Sequence, residues 1–542
     1  MVKIKTLHRS LEEHLPSSSS STAPVSRNLD PSLHPFSRSR EYTRAVTASK
    51  LERMFAKPFV GALEGHGDGL YCMTKDEAGA LPRIASGSGD GEVRVWDLAT
   101  RQSVWYATGA HRGMVKALAF SHPAAGEQGR IERAQGEKNR KRKRPRLGDK
   151  TGKTPIRHGA DTDDESDDQE EDDEIVRSVS RGSPRLLSCG VDKTVKLWDV
   201  TAQKGNDVKP LQTYVGKSGF NSISHHRYDP VFATASHSID IWDETKTAPL
   251  STLKFHSTSN LSTGEHIVCV AFNKSETSVL ASSGSDRTVC LYDLRSGKAV
   301  GRVSMTVSCS VFELLSLSLL AKSLSTHLLL QMRVNQLVFN PLQPPVLLCA
   351  SEDHNLYTFD MRNLSTTTQM YKGHVGAVMS CDWAPTGREF VSGSYDRTVR
   401  LWTAGEGKSR DTYHTKRMQR VFTSLYTLDN RFVLSGSDDS NLRIWKARAS
   451  DKLGVIDKRE QARKEYRDGL RDKWGSVGDV AKLERQRFMP KSIHNAETLR
   501  RTMVEARKKK EENRRKHAPR GIDREKLKPK PAKKGVIEQV ES

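Results

Sequence analysis

VSGSYDRTVRLW (Val391 to Trp402) carries a complete structural instruction in twelve residues. Small residues end a first extended segment, SYDR supplies a tight Asp-centred turn, and TVRLW alternates its side chains between the two faces of a second strand. The same pattern returns six times: ASGSGDGEVRVWD (Ala85 to Asp97), LSCGVDKTVKLWD (Leu187 to Asp199), ATASHSIDIWD (Ala233 to Asp243), ASSGSDRTVCLYD (Ala281 to Asp293), CASEDHNLYTFD (Cys349 to Asp360) and LSGSDDSNLRIW (Leu434 to Trp445). A small sheet of this kind cannot bury both of its faces alone, so the copies must pack against one another around a ring.

The closing aromatics fall at 96, 198, 242, 292, 359, 402 and 445, giving gaps of 102, 44, 50, 67, 43 and 43. Four gaps lie near the roughly 40–45 residue period of WD repeats, which these segments resemble. The sequence therefore predicts an all-β, seven-bladed WD40 β-propeller over 61–446. The two long gaps contain foreign sequence. About 123–183 holds KRKRPR and the acidic run Asp161 to Glu174, which cannot bury a core and is expected to form a disordered loop in the second blade. About 304–331 is an apolar Ser/Leu segment whose composition matches no blade and fits either a hydrophobic insert or a retained intron. Glu313, Lys322 and His327 argue against a membrane span there.

In the clearest repeat, His374, Ser392, Asp396 and Trp402 resemble the hydrogen-bonded structural tetrad of WD repeats. A catalytic His–Asp dyad is the competing reading. Approximate recurrence at His66 with Asp90 and at His111 with Asp192 favours a structural role, because an enzyme rarely needs several identical sites on one ring. The third repeat lacks a clear Gly-His and the fifth has Phe359 for Trp, so blades three to five should be looser than six and seven.

The chain has 88 Lys and Arg against 66 Asp and Glu, a net +22 that points to polyanionic partners. From Asp451 onward there are 28 Lys/Arg and 16 Asp/Glu, so this last stretch carries a surplus of 12, over half the total. Its cysteines are scattered without a C-x-x-C pair, which indicates neither a zinc site nor a disulfide framework. No nucleophile–base constellation appears, and GKT within GDKTGKTP (Gly148 to Pro155) lacks the glycine spacing of a phosphate loop. The reading is a non-enzyme with no catalytic, cofactor or metal residues, no small-molecule substrate and no membrane association.

Residues 1–60 read as an extension with one short helix, from about Ser39 to Phe55, whose apolar stripe is Tyr42, Ala45, Val46, Leu51 and Met54. Residues 447–520 read as a basic helical tail with helices near Asp457 to Trp474, Asp479 to Phe488 and Ile493 to His517, and 521–542 as a disordered end. The strings DPSLHPF, REYTRA and LERMFAKPF before the repeats, with EYRDGL and EARKKKEENRRKH after them, resemble the suppressor-of-fibrillarin family of WD-repeat proteins over nearly the whole chain outside the two inserts. That resemblance implies a nucleolar scaffold of the small-subunit processome. Its implied role is in pre-18S rRNA processing and 40S assembly, beside a box C/D small nucleolar ribonucleoprotein and other processome proteins.

Arg500, Arg501, Arg507, Lys508, Lys509, Lys510, Arg514, Arg515 and Lys516 crowd into seventeen residues, enough to displace counterions from an RNA backbone or to meet an acidic protein. Scarce aromatics and the absence of an RNA-binding motif argue against base readout. Leu470, Leu483, Leu499 and Met503 are expected to pack on neighbouring proteins. Lys141, Arg142, Lys143, Arg144 and Arg146 read as a nuclear localisation signal, and Ser166 as a kinase acceptor within the acidic run. A second function is kept open: Arg295 and Arg362 follow Tyr-Asp and Phe-Asp endings that resemble the WD-x-R box read by cullin-ring ligase adaptors, which would make the chain a substrate receptor.

Overall fold

The computed structural model describes residues 7, 33–77, 82–121, 185–200, 205, 208–256, 266–305, 333–486, 489–517 and 537–541. Seven antiparallel sheets form seven blades, as the repeat spacing predicts. Their innermost strands are Leu70–Lys75, Val115–Ser121, Ser222–His225, Ile267–Phe272, Val334–Phe339, Val378–Trp383 and Val421–Tyr426. Apolar clusters lie between successive blades: Val93, Trp105 and Val115 of blades one and two pack with Trp198, and Phe390 and Trp402 of blade six pack with Leu348 and Leu356 of blade five. Each Trp or its substitute thus serves as an inter-blade wedge.

The Asp-centred turns have a common geometry. Lys193, Arg287, His354, Arg397 and Ser440 adopt positive φ of 62, 65, 71, 64 and 62°, each directly after the turn's Asp. That left-handed conformation is unfavourable for a side-chain-bearing residue. In four of the turns it is held by the carboxylate, which accepts a backbone N–H two residues on, as in Thr398 N to Asp396 Oδ1 at 3.0 Å. Blade one uses Gly91 instead (φ 84°), where an added Cβ would meet the His111 carbonyl oxygen at 2.1 Å.

Ring closure comes from an unforeseen strand. Phe59–Leu63 begins two residues before the expected propeller boundary and is the outer strand of blade seven, pairing antiparallel with Leu442–Lys446 (Leu63 with Leu442, Phe59 with Trp445). The first residues of the propeller are therefore clasped by the last.

Directly before this strand lies α1 (Ser37–Met54), and after blade seven come α2 (Lys458–Trp474), α3 (Gly478–Arg485) and α4 (Lys491–Lys516). Helices α1 to α3 pack together around Ala45, Leu470 and Val480, with Tyr42, Val46, Tyr466 and Trp474 at the edge. Tyr42 meets Trp474 edge-on at 5.4 Å and accepts the Asp479 N–H at 3.1 Å. Buried Glu41 pairs with Lys473 at 2.6 Å. This corrects two expectations. Leu470 is buried within the chain and is not offered to a neighbour; the expected stripe of α1 also bends, with Ala48 and Ser49 buried while Met54 is 64% exposed. Helix α1 turns its Ala/Ser side to its partners because small residues let helices approach closely.

The charged insert joins blade two at a paired position, Ser121 opposite Arg185. Glu244 of blade three grips both ends, accepting the Ser121 hydroxyl and lying 3.8 Å from Arg185, with His225 at 2.9 Å. Burial alone would raise this carboxyl, yet the hydrogen bonds from His225 and Ser121 hold it below its ordinary value. The insert itself, the Ser/Leu segment, Lys141 to Arg146, Ser166 and the GKT string lie outside the described residues. No helix among the described residues is long and apolar enough to cross a membrane.

Candidate functional site

One face of the ring carries the loops that enter each innermost strand, together with the Asp turns. On blade six the four sequence-selected residues meet there. Trp402 Nε1–H donates to Ser392 Oγ (2.8 Å), Ser392 lies 2.7 Å from His374 Nε2, and His374 Nδ1 lies 2.9 Å from Asp396. Indole can only donate, and in this buried network the acceptor left for the Ser392 proton is Nε2 of a neutral ring, an arrangement that places the imidazole N–H on Nδ1, facing the carboxylate. That chain of donors requires neutral imidazole, and complete burial pushes His374 in the same direction, below its ordinary value. Blade two repeats the arrangement with His111, Ser188, Asp192 and Trp198.

Blade one departs from the expectation. His66 and Trp96 both reach Ser86 at 2.7 Å, but the acid facing His66 Nδ1, at 3.3 Å, is Glu92 and not Asp90. Glu92 occupies the position where blades two, four and six carry a threonine bonded to the turn's Asp. Its longer side chain, clamped by Arg94 at 2.8 Å, fills the space beside the imidazole and leaves Asp90 against Gly67.

Blade four holds a full network around His256, a histidine that the sequence reading did not single out and that no glycine precedes. His256 Nε2 lies 2.6 Å from Ser282, Nδ1 lies 3.1 Å from Asp286, and Ser282 donates to Tyr292 at 3.4 Å. Tyrosine, unlike tryptophan, can accept that proton, so Ser282 is free to accept from a charged imidazolium. Burial lowers His256, but the hydrogen bond with Asp286 and the neighbouring Cys290 outweigh it and the group is pushed up to about 9. A folded value above the unfolded one, about 6.5, gives stabilisation that is complete below pH ~6.5 and lost as pH rises through ~9. The stability difference between the wild type and His256→Asn is thus expected to shrink by about 3 kcal/mol from pH 6.5 to 9.5, measured by denaturant unfolding. A pH-independent difference would show the imidazole to be neutral.

Blades three, five and seven use substitutes. Thr234 accepts from Trp242 at 2.9 Å, and Lys217 follows Gly216 where other blades have histidine. In blade five Cys349 and Phe359 replace the Ser–Trp pair, and Asp353 is met by the Tyr357 hydroxyl and by Asn355. In blade seven Arg443 holds Asp439. The recurrence of the same buried geometry with varied residues is what a load shared by every blade requires, and it contrasts with the single constellation of a catalytic site.

The helical tail reaches the same face. Arg500 of α4 is half-buried and donates from Nη1 to the His374 carbonyl at 3.0 Å, while Arg400 approaches Met489 just ahead of the helix. Arg500 is therefore a propeller contact, unlike the other described side chains of the basic series. Arg501, Arg507, Lys508, Lys509, Lys510, Arg514 and Lys516 are exposed; the side chain of Arg515 lies outside the described residues. Arg501 lies 3.9 Å from Glu505. Leu499 and Met503 are 58% and 54% exposed on the same helix. Sequence reading could not separate Arg500 from its neighbours, because helical position alone does not say where the propeller lies. On the opposite face of the ring, Arg295 and Arg362 are exposed at matching positions of adjacent blades, each with its backbone N–H held 3.0 Å from the Asp two residues before it. Among the described residues no cluster of His, Cys, Asp or Glu could hold a metal ion.

Seven blades of this architecture, with Trp–Ser–His–acid networks in blades one, two and six and substitutes in the others, and with helices added at either end of the ring's sequence, define a WD-repeat β-propeller protein. WD domain, G-beta repeat models match residues 57–97, 169–199, 247–293, 365–403 and 412–446, on blades one, two, four, six and seven, and a Sof1-like domain model matches 447–534. Protein SOF1 of Saccharomyces cerevisiae is 34% identical over 95% of this chain and 91% of its own length. DDB1- and CUL4-associated factor 13 of Xenopus laevis and of Homo sapiens are each 35% identical, over 96% of both chains. The chain belongs to this Sof1 family of WD-repeat proteins. The solved WD40 propeller domain of Doa1 covers 72% of it with TM-score 0.47 and 17% identity.

Proposed function

We propose that this protein is a non-catalytic assembly factor in ribosome biogenesis. It acts as a scaffold in the nucleolar small-subunit processome, where it supports pre-18S rRNA processing beside a box C/D small nucleolar ribonucleoprotein. The observation that carries the reading is α4: anchored on the propeller through Arg500, it presents seven further cations, exposed and close together, beyond that anchor. A fixed cationic rod suits a phosphate backbone, which needs charge without base readout. Family membership with SOF1 supports the same reading. Lys141, Arg142, Lys143, Arg144 and Arg146 would deliver the chain to the nucleus. The test is gradient sedimentation of a chain truncated after Pro490. Folded protein absent from early pre-ribosomal particles, with accumulation of uncleaved pre-18S rRNA, is expected; normal entry contradicts the proposal.

A second reading, substrate receptor of a cullin-ring ubiquitin ligase, is favoured by the exposed Arg295 and Arg362 and by relatives whose name associates them with DDB1 and CUL4. Arg295→Glu with Arg362→Glu is expected to abolish adaptor pull-down while leaving pre-18S rRNA levels unchanged. Loss of both together would merge the two functions into one surface.

A further inference from the structure

Where the chain leaves blade seven and enters α2, it forms a groove of about 430 Å³ against α1. Leu51 of α1, Phe55 just past its end and Ile456 of the connection give it an apolar lining. Phe55 is 58% exposed, and residues adjacent in sequence, Met54, Leu453 and Val455, are also exposed, so apolar surface continues past the groove. Contiguous exposure of this kind marks an interaction site more often than a monomer's ordinary surface.

Charge makes the groove selective. Its acids are engaged: Asp451 with Lys464 at 2.6 Å, Glu460 with Lys452, Asp468 with Arg471 at 3.3 Å, and Glu52 with Arg471. Lys57, Arg463 and Arg467 are exposed along the same lining and have no ion pair with a described residue. Three exposed cations, none in an ion pair with a described residue, around an apolar floor fit a ligand with a bulky apolar side chain flanked by carboxylates, which the guanidinium groups can bind by charge-assisted hydrogen bonds.

We infer that this groove docks a short acidic peptide segment of another protein, its apolar side chain between Leu51, Phe55 and Ile456 and its carboxylates on Lys57, Arg463 and Arg467. The site lies apart from the basic end of α4, and it stands or falls independently of RNA contact there. It would place a protein neighbour on the module shared by the two ends of the chain.

The probe is a fluorescent peptide, Asp-Glu-Asp-Phe-Asp-Glu-Asp, titrated into full-length protein by anisotropy, beside a version with Ser for Phe. Arg463→Glu with Arg467→Glu, at exposed positions the fold does not use, is expected to weaken the Phe peptide at least about tenfold. Phe55→Ala should weaken it several-fold, and the Ser peptide should bind the wild type correspondingly worse. Unchanged affinity in the double variant, or equal binding of the two peptides, overturns the proposal. So does tighter binding on deletion of 161–176, which would make the chain's own acidic run the occupant. A single-stranded RNA oligonucleotide that loses binding with the double variant but not with Phe55→Ala would overturn it as well, by identifying a backbone-binding site.

Discussion

A chain beginning at Glu64 is expected to lack a cooperative unfolding transition and to precipitate, whereas one beginning at Ala56 folds. The difference is the strand Phe59–Leu63. Without it, blade seven loses its outer strand and presents the edge of Leu442–Lys446 to solvent, an invitation to edge-to-edge pairing. Leu63 is 2% exposed and belongs to the cluster of Leu442, Ile444 and Trp96 that joins blades seven and one. Losing that burial and the ladder costs about 5 kcal/mol or more, comparable with the whole stability of many domains. The longer chain still lacks α1, so Leu470 and Val480 lose their cover and Lys473 its partner Glu41. Its melting temperature should fall, and circular dichroism against temperature checks both chains. Equal, cooperative melting of the Glu64 chain would show that the ring closes without its clasp.

Replacing Lys508, Lys509, Lys510 and Arg514 by glutamate is expected to leave the melting temperature unchanged and to remove most RNA affinity. All four are exposed on α4, beyond the Arg500 contact with the propeller. If each meets a phosphate of single-stranded RNA, the slope of log affinity against log salt falls by about 3. Filter binding across a salt series reads this directly. An unchanged slope would mean that these cations are merely solvated.

The propeller was legible because its signal is local. Each Asp turn and aromatic ending sits within about a dozen residues, and the turn conformation and the inter-blade wedge both follow from that short string. The features without a local signal depend on distant partners. FVGAL is too short and plain to announce a pairing with the far end of the chain. Helix α1 showed a stripe, but nothing in its periodicity could reveal that α2 and α3 cover it. In blade one Asp90 matches the turn position by count, but the space beside His66 is settled by the reach of Glu92 and the clamp of Arg94. His256 carried no Gly-His signature, and only the fold brings it to Ser282. Within the basic series of α4, Arg500 is drawn to the propeller because a carbonyl oxygen on blade six lies within its reach.

The most direct test of the scaffold reading is ultraviolet crosslinking of the tagged protein in growing cells, followed by mapping of the crosslinked peptides. Crosslinks to pre-18S rRNA concentrated on residues 501–517 are the expected result. Crosslinks confined to the propeller, or a protein that binds no pre-ribosomal RNA at all, would contradict it.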